Sequence, residues 1–292
     1  MATFKSRRGA RIFSLLPAVL FLVLLSALPF ANLLALSFSD VTWAQGTSTW
    51  TWVGFENYLE LANDALFKAG ILNTLILVIT ATSLQVGLGL LLALTCSRLG
   101  RRSTLFRTLF LFPILIPGII IGAIWKLMYN YQFGIINQAL GWLGINPVDW
   151  LGSPSLALGS VIAVDVWHWT PFSFLLLLAA VEALPRDVFE AAQIDGAGAL
   201  KTFRRITLPL LWPAIFTTFV FRAIIAFKVF DEVYLLTGGG PGTSTQVISF
   251  TIYQRFFVQD NAGYGSAMSI LVILVVSACV AVSMTLQRSR SQ

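Results

Sequence analysis

The sequence predicts an all-α integral membrane protein with six transmembrane helices, and three observations carry that prediction. The first is composition: 57% of the 292 residues are hydrophobic and 11% are charged, with a mean hydropathy of +0.81. A soluble domain carries about 25% charged residues, so this chain lacks the polar surface that water demands. The same apolar excess excludes a disordered chain. The second observation is length. A helix needs about 20 mainly apolar residues to cross about 30 Å of hydrocarbon, and six windows meet that requirement, at residues 12–38, 71–96, 109–128, 156–181, 208–230 and 267–286.

The third observation is where the basic residues fall. Fourteen of the 19 lie in alternate segments: Lys5, Arg7, Arg8 and Arg11 before the first span, Arg98, Arg101, Arg102 and Arg107 in the second connection, Arg186, Lys201, Arg204 and Arg205 in the fourth, and Arg288 and Arg290 after the last. The opposite side holds Lys68, Lys126 and Arg255, while Arg222 and Lys228 sit within the fifth window. The positive-inside rule therefore puts both termini and the second and fourth connections in the cytoplasm, as an even number of spans requires. The formal charge of +6 is then an orientation signal that also favours anionic lipid head groups, and it gives no reason to expect a nucleic-acid partner.

Taken in order, the first span follows a basic tail as a secretory signal would. Its apolar run exceeds the roughly 7–15 residues of a signal core and closes on no small-x-small site, so it reads as an uncleaved span. The connection from residue 40 to 70 carries Trp43, Trp50, Trp52, Phe55 and Tyr58, aromatics that favour a membrane interface. In the third span Gly118 and Gly122 form a small-xxx-small pair that permits close helix approach, and Pro113 and Pro117 predict a kink. Residues 129–155, with Trp142, Trp150 and several Gly and Pro, read as a short interfacial helix between turns. Cys96 and Cys279 lie in apolar runs without metal-ligand spacing and read as packing residues. The run GGGPG at 238–242 lacks the Lys-Ser/Thr ending of a phosphate loop and reads as a tight turn near the outer mouth. Residues 1–292 form a single transmembrane domain.

Ionisable side chains inside a bilayer are expensive and mark function by default. The fourth span contains Asp165 and His168; the fifth contains Arg222 and Lys228, with Asp231 and Glu232 at its outer end. Asp165, His168, Trp169 and Phe172 follow i, i+3, i+4, i+7 spacing and share one helix face. One reading makes that face a substrate surface, since sugar hydroxyls need hydrogen bonds and sugar C–H faces pack on rings. The other pairs Asp165 with Arg222 or Lys228 to neutralise buried charge and leaves Trp167 and Trp169 as interface anchors.

The fourth connection, residues 184–210, reads LPRDVFEAAQIDGAGALKTFRRITLPL. Asp187 with Glu190 three positions later predicts a capped helix start. Ala191 and Ala192 give that helix a slim face, and Gly196 supplies the positive φ that ends it. A second helical turn, about 199–205, leads to Leu208 and Pro209. The expected product is a helix, a sharp turn and another helix along the cytoplasmic face.

The string EAAQIDGAGALKTFRRITLP resembles the EAA loop of permease subunits of binding-protein-dependent ABC importers. VGFENYLEL and LNT (53–61 and 72–74), FPILIPGIIIGAIWKLMYN (112–130) and VFDEVYLLTGGGPGTST (229–245) resemble the sugar-permease branch of that family, in the same order along the chain. The resemblance implies the type I ABC importer permease fold. It implies that Asp187, Glu190, Ala191, Ala192, Asp195 and Gly196 belong to a coupling helix, within the loop 184–209, that docks on a cytoplasmic ATPase subunit. It also implies a second homologous permease subunit, two ATPase subunits carrying ATP and Mg, an extracytoplasmic solute-binding protein, a sugar-like substrate, and a bacterial or archaeal cytoplasmic (inner) membrane. This chain itself would bind no cofactor.

No nucleophile–base pair, carboxylate dyad or metal cluster is visible in the sequence, and there is one histidine. The competing class is a stand-alone secondary carrier or membrane-embedded enzyme, although a carrier more often shows two related halves. The charge distribution predicts that alkaline phosphatase fused after Trp150 is active and that the same fusion after Ala197 is inactive; the reverse pattern would invert the assigned topology.

Overall fold

The computed structural model describes residues 2–44, 47–99 and 103–290. Arg101 and Arg102, counted above on the cytoplasmic side, lie outside the described residues, as do the side chains of Lys5, Arg7, Arg8, Arg11, Trp43, Arg288 and Arg290. Helix dominates because hydrocarbon offers no water to backbone N–H and C=O groups, and a helix bonds them locally. Among the described residues five helices are long and apolar enough to cross a membrane: Leu15–Ser37, Ala65–Ser97, Ala157–Glu182, Ala199–Ala226 and Ala262–Ser283. The chain divides into two compact units, Met1–Asp64 with Ile252–Val275, and Ala65–Thr251 with Val276–Gln292.

In the first unit, α1 (Ala2–Ser37) leads directly into an antiparallel hairpin of β1 (Ser39–Ala44) and β2 (Thr47–Trp52), in the register Ser39 with Trp52 and Trp43 with Ser48. This hairpin departs from the expected all-helical chain. Its physical basis is the alternation of β-branched Thr and Val with Trp, residues that suit a pleated ribbon. Thr42 and Thr49 hydrogen-bond across it at 2.6 Å. Phe38 stacks on Trp52 with centroids 5.4 Å apart. The short helix α2 (Glu56–Leu61) is tied to the end of α1 by Asn57 Nδ2, which donates to the carbonyls of Ser37 and Ser39 at 3.1 and 3.2 Å. Arg255 and Tyr264 both donate to Asp64 Oδ2, at 3.0 and 2.8 Å.

In the second unit, α3 (Ala65–Ser97) packs along α7 (Ala157–Glu182) around a core of Val86, Ala93, Cys96, Phe174, Leu177 and Leu178. Their approach is close at Gly89, where an added Cβ would lie 2.8 Å from the Phe174 nitrogen and 2.9 Å from Ser173 Cβ. The window 109–128 is not one continuous helix. It consists of α4 (Ser103–Leu111), a 3-10 turn at Pro113–Leu115 and the 11-residue α5 (Gly118–Met128). Pro113 and Pro117 have no N–H to give, and a residue before proline is pushed out of the helical region; Ile116 accordingly sits at φ −88°, ψ 128°. At 1.5 Å per residue α5 covers only about half of the hydrocarbon thickness.

Beyond α5 come α6 (Ile135–Trp142), the expected short helix in the 129–155 stretch, and then α7. The fourth connection contains α8 (Arg186–Ile194) and α9 (Ala199–Thr202). A wide π turn, Phe203–Thr207, joins α9 to α10 (Leu208–Ala226), so the fifth span begins upstream of residue 208 and ends before Lys228. The chain breaks at 227–230 and resumes as α11 (Asp231–Leu236). This helix lies on the small-residue face of α5: a Cβ on Gly118 would meet Asp231 Oδ2 at 2.9 Å, and one on Gly122 would meet Leu235 Cβ at 2.8 Å. The described elements end with α12 (Ile248–Tyr253), a second π turn at Gln254–Val258 and α13 (Ala262–Arg290).

Gly89→Ala is expected to lower thermal stability by about 1–3 kcal/mol through overpacking. Gly87→Ala, whose Cβ would meet nothing within 4 Å, leaves stability unchanged or slightly raised. Equal melting temperatures for the two variants would contradict the close α3–α7 approach.

Candidate functional site

Two constellations stand out. The first is the loop between α7 and α10. Its helix α8 starts two residues earlier than expected: the capping position falls on Pro185 rather than Asp187, at φ −65°, ψ 127°, and no side chain caps the helix. The anticipated Asp187–Glu190 capping box is therefore not formed. The fixed φ of proline sets the helix start instead, and Asp187 lies in the first turn, where a carboxylate complements the helix dipole. Gly196, at φ +66°, closes α8: its N–H donates to Gln193 O at 3.1 Å and that of Ala197 to Ala192 O at 2.9 Å, the paired bonds of a Schellman ending. Ala192 is buried, while Glu190, Ala191 and Asp195 are exposed. Ile194 is 86% and Leu200 65% exposed, so this acidic helix and its turn present apolar side chains without intramolecular cover.

The second constellation is a polar cluster within the spanning helices. Arg222 Nη2 on α10 donates to both carboxylate oxygens of Asp165 on α7, at 2.7 and 2.5 Å, with both side chains almost wholly buried. Gln85 on α3 donates to Asp165 Oδ2 at 2.9 Å and to its backbone carbonyl at 2.8 Å. One turn along α7, His168 Nδ1 lies 3.0 Å from Glu232 Oε1 on α11, again buried. The Arg222 guanidinium sits 5.0 Å over the Trp169 ring, which packs on His168 and Phe172. A short turn of α7 thus holds α3, α10 and α11 through charge-assisted bonds, strong where water is excluded. Arg222 Nε and Nη1 and Gln85 Oε1 remain buried without a partner.

Sequence spacing put Asp165, His168, Trp169 and Phe172 on one face. In the structure Asp165 and His168 point inward and Trp169 and Phe172 are half-buried, whereas Trp167 is 40% exposed against Trp125. Lys228 is exposed and Asp231 half-buried, so of the two cations it is Arg222 that meets Asp165. Sequence reasoning missed Gln85, whose signal was an amide in mid-span, and the pairing of His168 with Glu232. Among the described residues no group of three potential ligands could hold a metal ion.

A third link joins distant strings of the sequence. Asn73 Nδ2 donates to the carbonyls of Thr243 and Gln246 at 2.8 and 2.9 Å, and the Ile248 N–H donates to Thr74 Oγ1 at 2.9 Å. The GGGPG run forms the turn just before this clamp, with Gly238, Gly239 and Gly242 at positive φ.

Long apolar helices, a matched charge pair inside them and a helix–turn–helix loop define a polytopic membrane protein. The chain belongs to the family described as "Binding-protein-dependent transport system inner membrane component", whose profile matches residues 85–291. It is 40% identical over 238 residues, 82% of this chain and 80% of the relative, to the trehalose/maltose transport system permease protein MalF of Thermococcus litoralis. It is 34% identical over 275 residues, 93% of this chain and 89% of the relative, to the sulfoquinovosyl glycerol transport system permease protein SmoG of Agrobacterium fabrum. Its fold matches a chain of a bacterial ABC transporter involved in the import of alginate, with a TM-score of 0.85 and 24% identity over the full length of both. The fold is thus the type I ABC importer permease fold. The chain is a transport subunit located in a membrane, and ATP hydrolysis belongs to separate ATPase subunits. Family membership sets aside the stand-alone carrier and the membrane-embedded enzyme.

Arg222→Met or Asp165→Leu alone is expected to cost about 3–5 kcal/mol, because each leaves a buried charge unmatched. The double variant is expected to be more stable than either single one in thermal unfolding. Losses that simply add would show that the two residues do not act as a pair.

Proposed function

We propose that this chain is the sugar-translocating membrane subunit of an ATP-driven importer, and that its loop 184–209 couples transport to ATP hydrolysis. The observation that carries the coupling role is the form of the loop. A short acidic helix, closed sharply by Gly196, leaves Ile194 and Leu200 exposed beside Asp187, Glu190 and Asp195. Such a surface fits a cleft on a cytoplasmic ATPase subunit: slim Ala191 and Ala192 allow close approach, and the exposed apolar side chains gain burial on docking. In this reading the chain pairs with a second homologous permease, ATP and Mg bind two ATPase subunits, a solute-binding protein delivers substrate from outside, and both termini lie in the cytoplasm of a bacterial or archaeal cell.

A sugar or sugar-like solute is supported by the names of the relatives, which transport trehalose and maltose or sulfoquinovosyl glycerol. The half-buried Trp169 and Phe172 beside the polar cluster offer the rings and hydrogen-bonding groups that a carbohydrate needs. Asp165, His168, Arg222 and Glu232 then fix the helices on which those rings stand, and Lys228 and Asp231 lie at the outer end of the path.

The test is Gly196→Leu in the assembled transporter. The substitution forces a Cβ into a left-handed conformation at about 1–2 kcal/mol, without a clash, since nothing lies within 4 Å of that position. Substrate-stimulated ATP hydrolysis should fall by roughly tenfold, with membrane insertion intact and stability lowered by no more than that local strain. Unchanged transport would refute the docking role.

A further inference from the structure

A depression with a volume of about 390 Å3 opens where α5 ends, between Lys126, the segments 129–131 and 149–152, and the end of α11 with Gly240–Pro241. The charge distribution assigns this side of the chain to the exterior. The walls are built. Asn130 Oδ1 accepts the N–H groups of Gln132 and Phe133 at 2.9 and 3.1 Å, and Asp149 Oδ1 accepts that of Gly152 at 2.8 Å. Thr245 donates to Gly240 O at 2.8 Å. Behind them Tyr129 packs on Trp125 and Trp150, at 5.4 and 5.8 Å between centroids.

These bonds leave four polar groups on the depression with no partner among the described residues: the Lys126 ammonium, Asn130 Nδ2, the Tyr131 hydroxyl and Asp149 Oδ2. Lys126 and Asp149 carry opposite charges but form no ion pair with each other. The Tyr131 ring is 52% exposed. Opposite charges held apart on a preformed wall select against simple ions, because an anion meets Asp149 and a cation meets Lys126. A neutral polyhydroxylated ring satisfies both at once, with hydroxyls donating to Asp149 and accepting from Lys126 and Asn130, and a C–H face packing on Tyr131. The depression is open to solvent, and an open site with a few polar groups beside one aromatic ring suits weak binding of a small polar molecule.

We propose that this depression is an outer, low-affinity carbohydrate site that receives the substrate before it reaches the membrane-embedded path. The proposal rests on the sugar-import reading. The test uses the complete transporter in lipid nanodiscs, with trehalose and maltose as probes and glycine betaine as a zwitterionic control. Saturation-transfer NMR without the solute-binding protein should show sugar contact that Tyr131→Ala and Asp149→Asn each abolish. In transport assays the same variants should raise KM about fivefold, as loss of one ring contact would, with maximal rate, melting temperature and the Kd of the solute-binding protein unchanged. An unaltered KM and NMR signal overturns the site while leaving sugar import standing. A weakened Kd for the solute-binding protein makes the depression a protein-docking surface instead, and stronger contact from glycine betaine makes it a zwitterion site. If the wild-type transporter imports no sugar at all, both readings fall.

Discussion

A guanidinium in hydrocarbon needs an anion beside it, and Arg222 has one in Asp165. Much of the second unit follows from that requirement. The pair fixes the rotation of α10 against α7, because a turn of either helix by one residue swings the charges about 100° apart. Gln85 then fixes α3 against the same carboxylate. His168, one turn along, anchors α11 through Glu232, and α11 in turn covers the glycine face of α5. Between helices that are apolar all round, hydrophobic burial distinguishes poorly among rotations, since lipid tails are as apolar as leucine. The polar cluster supplies the discrimination that packing lacks.

The fourth connection is built on a different principle. In α8 only Ala192 is buried; its form comes mainly from backbone punctuation. Pro185 begins the helix and Gly196 ends it, and between them the side chains are left for an external surface. The rigid cluster and the exposed loop meet in one continuous helical stretch, Ala199–Ala226. A displacement of the loop therefore acts on the helix that carries Arg222.

What could be read in the sequence was whatever depends on local chemistry. Apolar runs of twenty residues announce spans, and Gly196 announces a helix end because few other residues accept its φ. The third window hides a break: its hydropathy is continuous while Pro113 and Pro117 interrupt the backbone, which an apolarity average does not register. The hairpin was missed because residues 39–52 were weighed for their aromatics and not for their Thr and Val alternation. The capping box fails by two positions, since Pro185 and not Asp187 defines the helix start. Asp165 and Arg222 were visible as costly intramembrane charges. Gln85 was not, because an uncharged amide draws no such attention, and no local signal could tie His168 to Glu232, 64 residues away.

The π turn at Phe203–Thr207 has a bearing on how this lineage can change. A wide turn holds one residue more than an α-helix of the same rise requires, so it is a seam where chain length can vary. In an unbroken helix, losing a residue would rotate everything downstream and carry Arg222 away from Asp165. Here the loss converts the wide turn to an ordinary one and leaves the orientation of α10 intact. The loop between α7 and α10 can thus drift in length by a residue while the buried charge pair keeps its register.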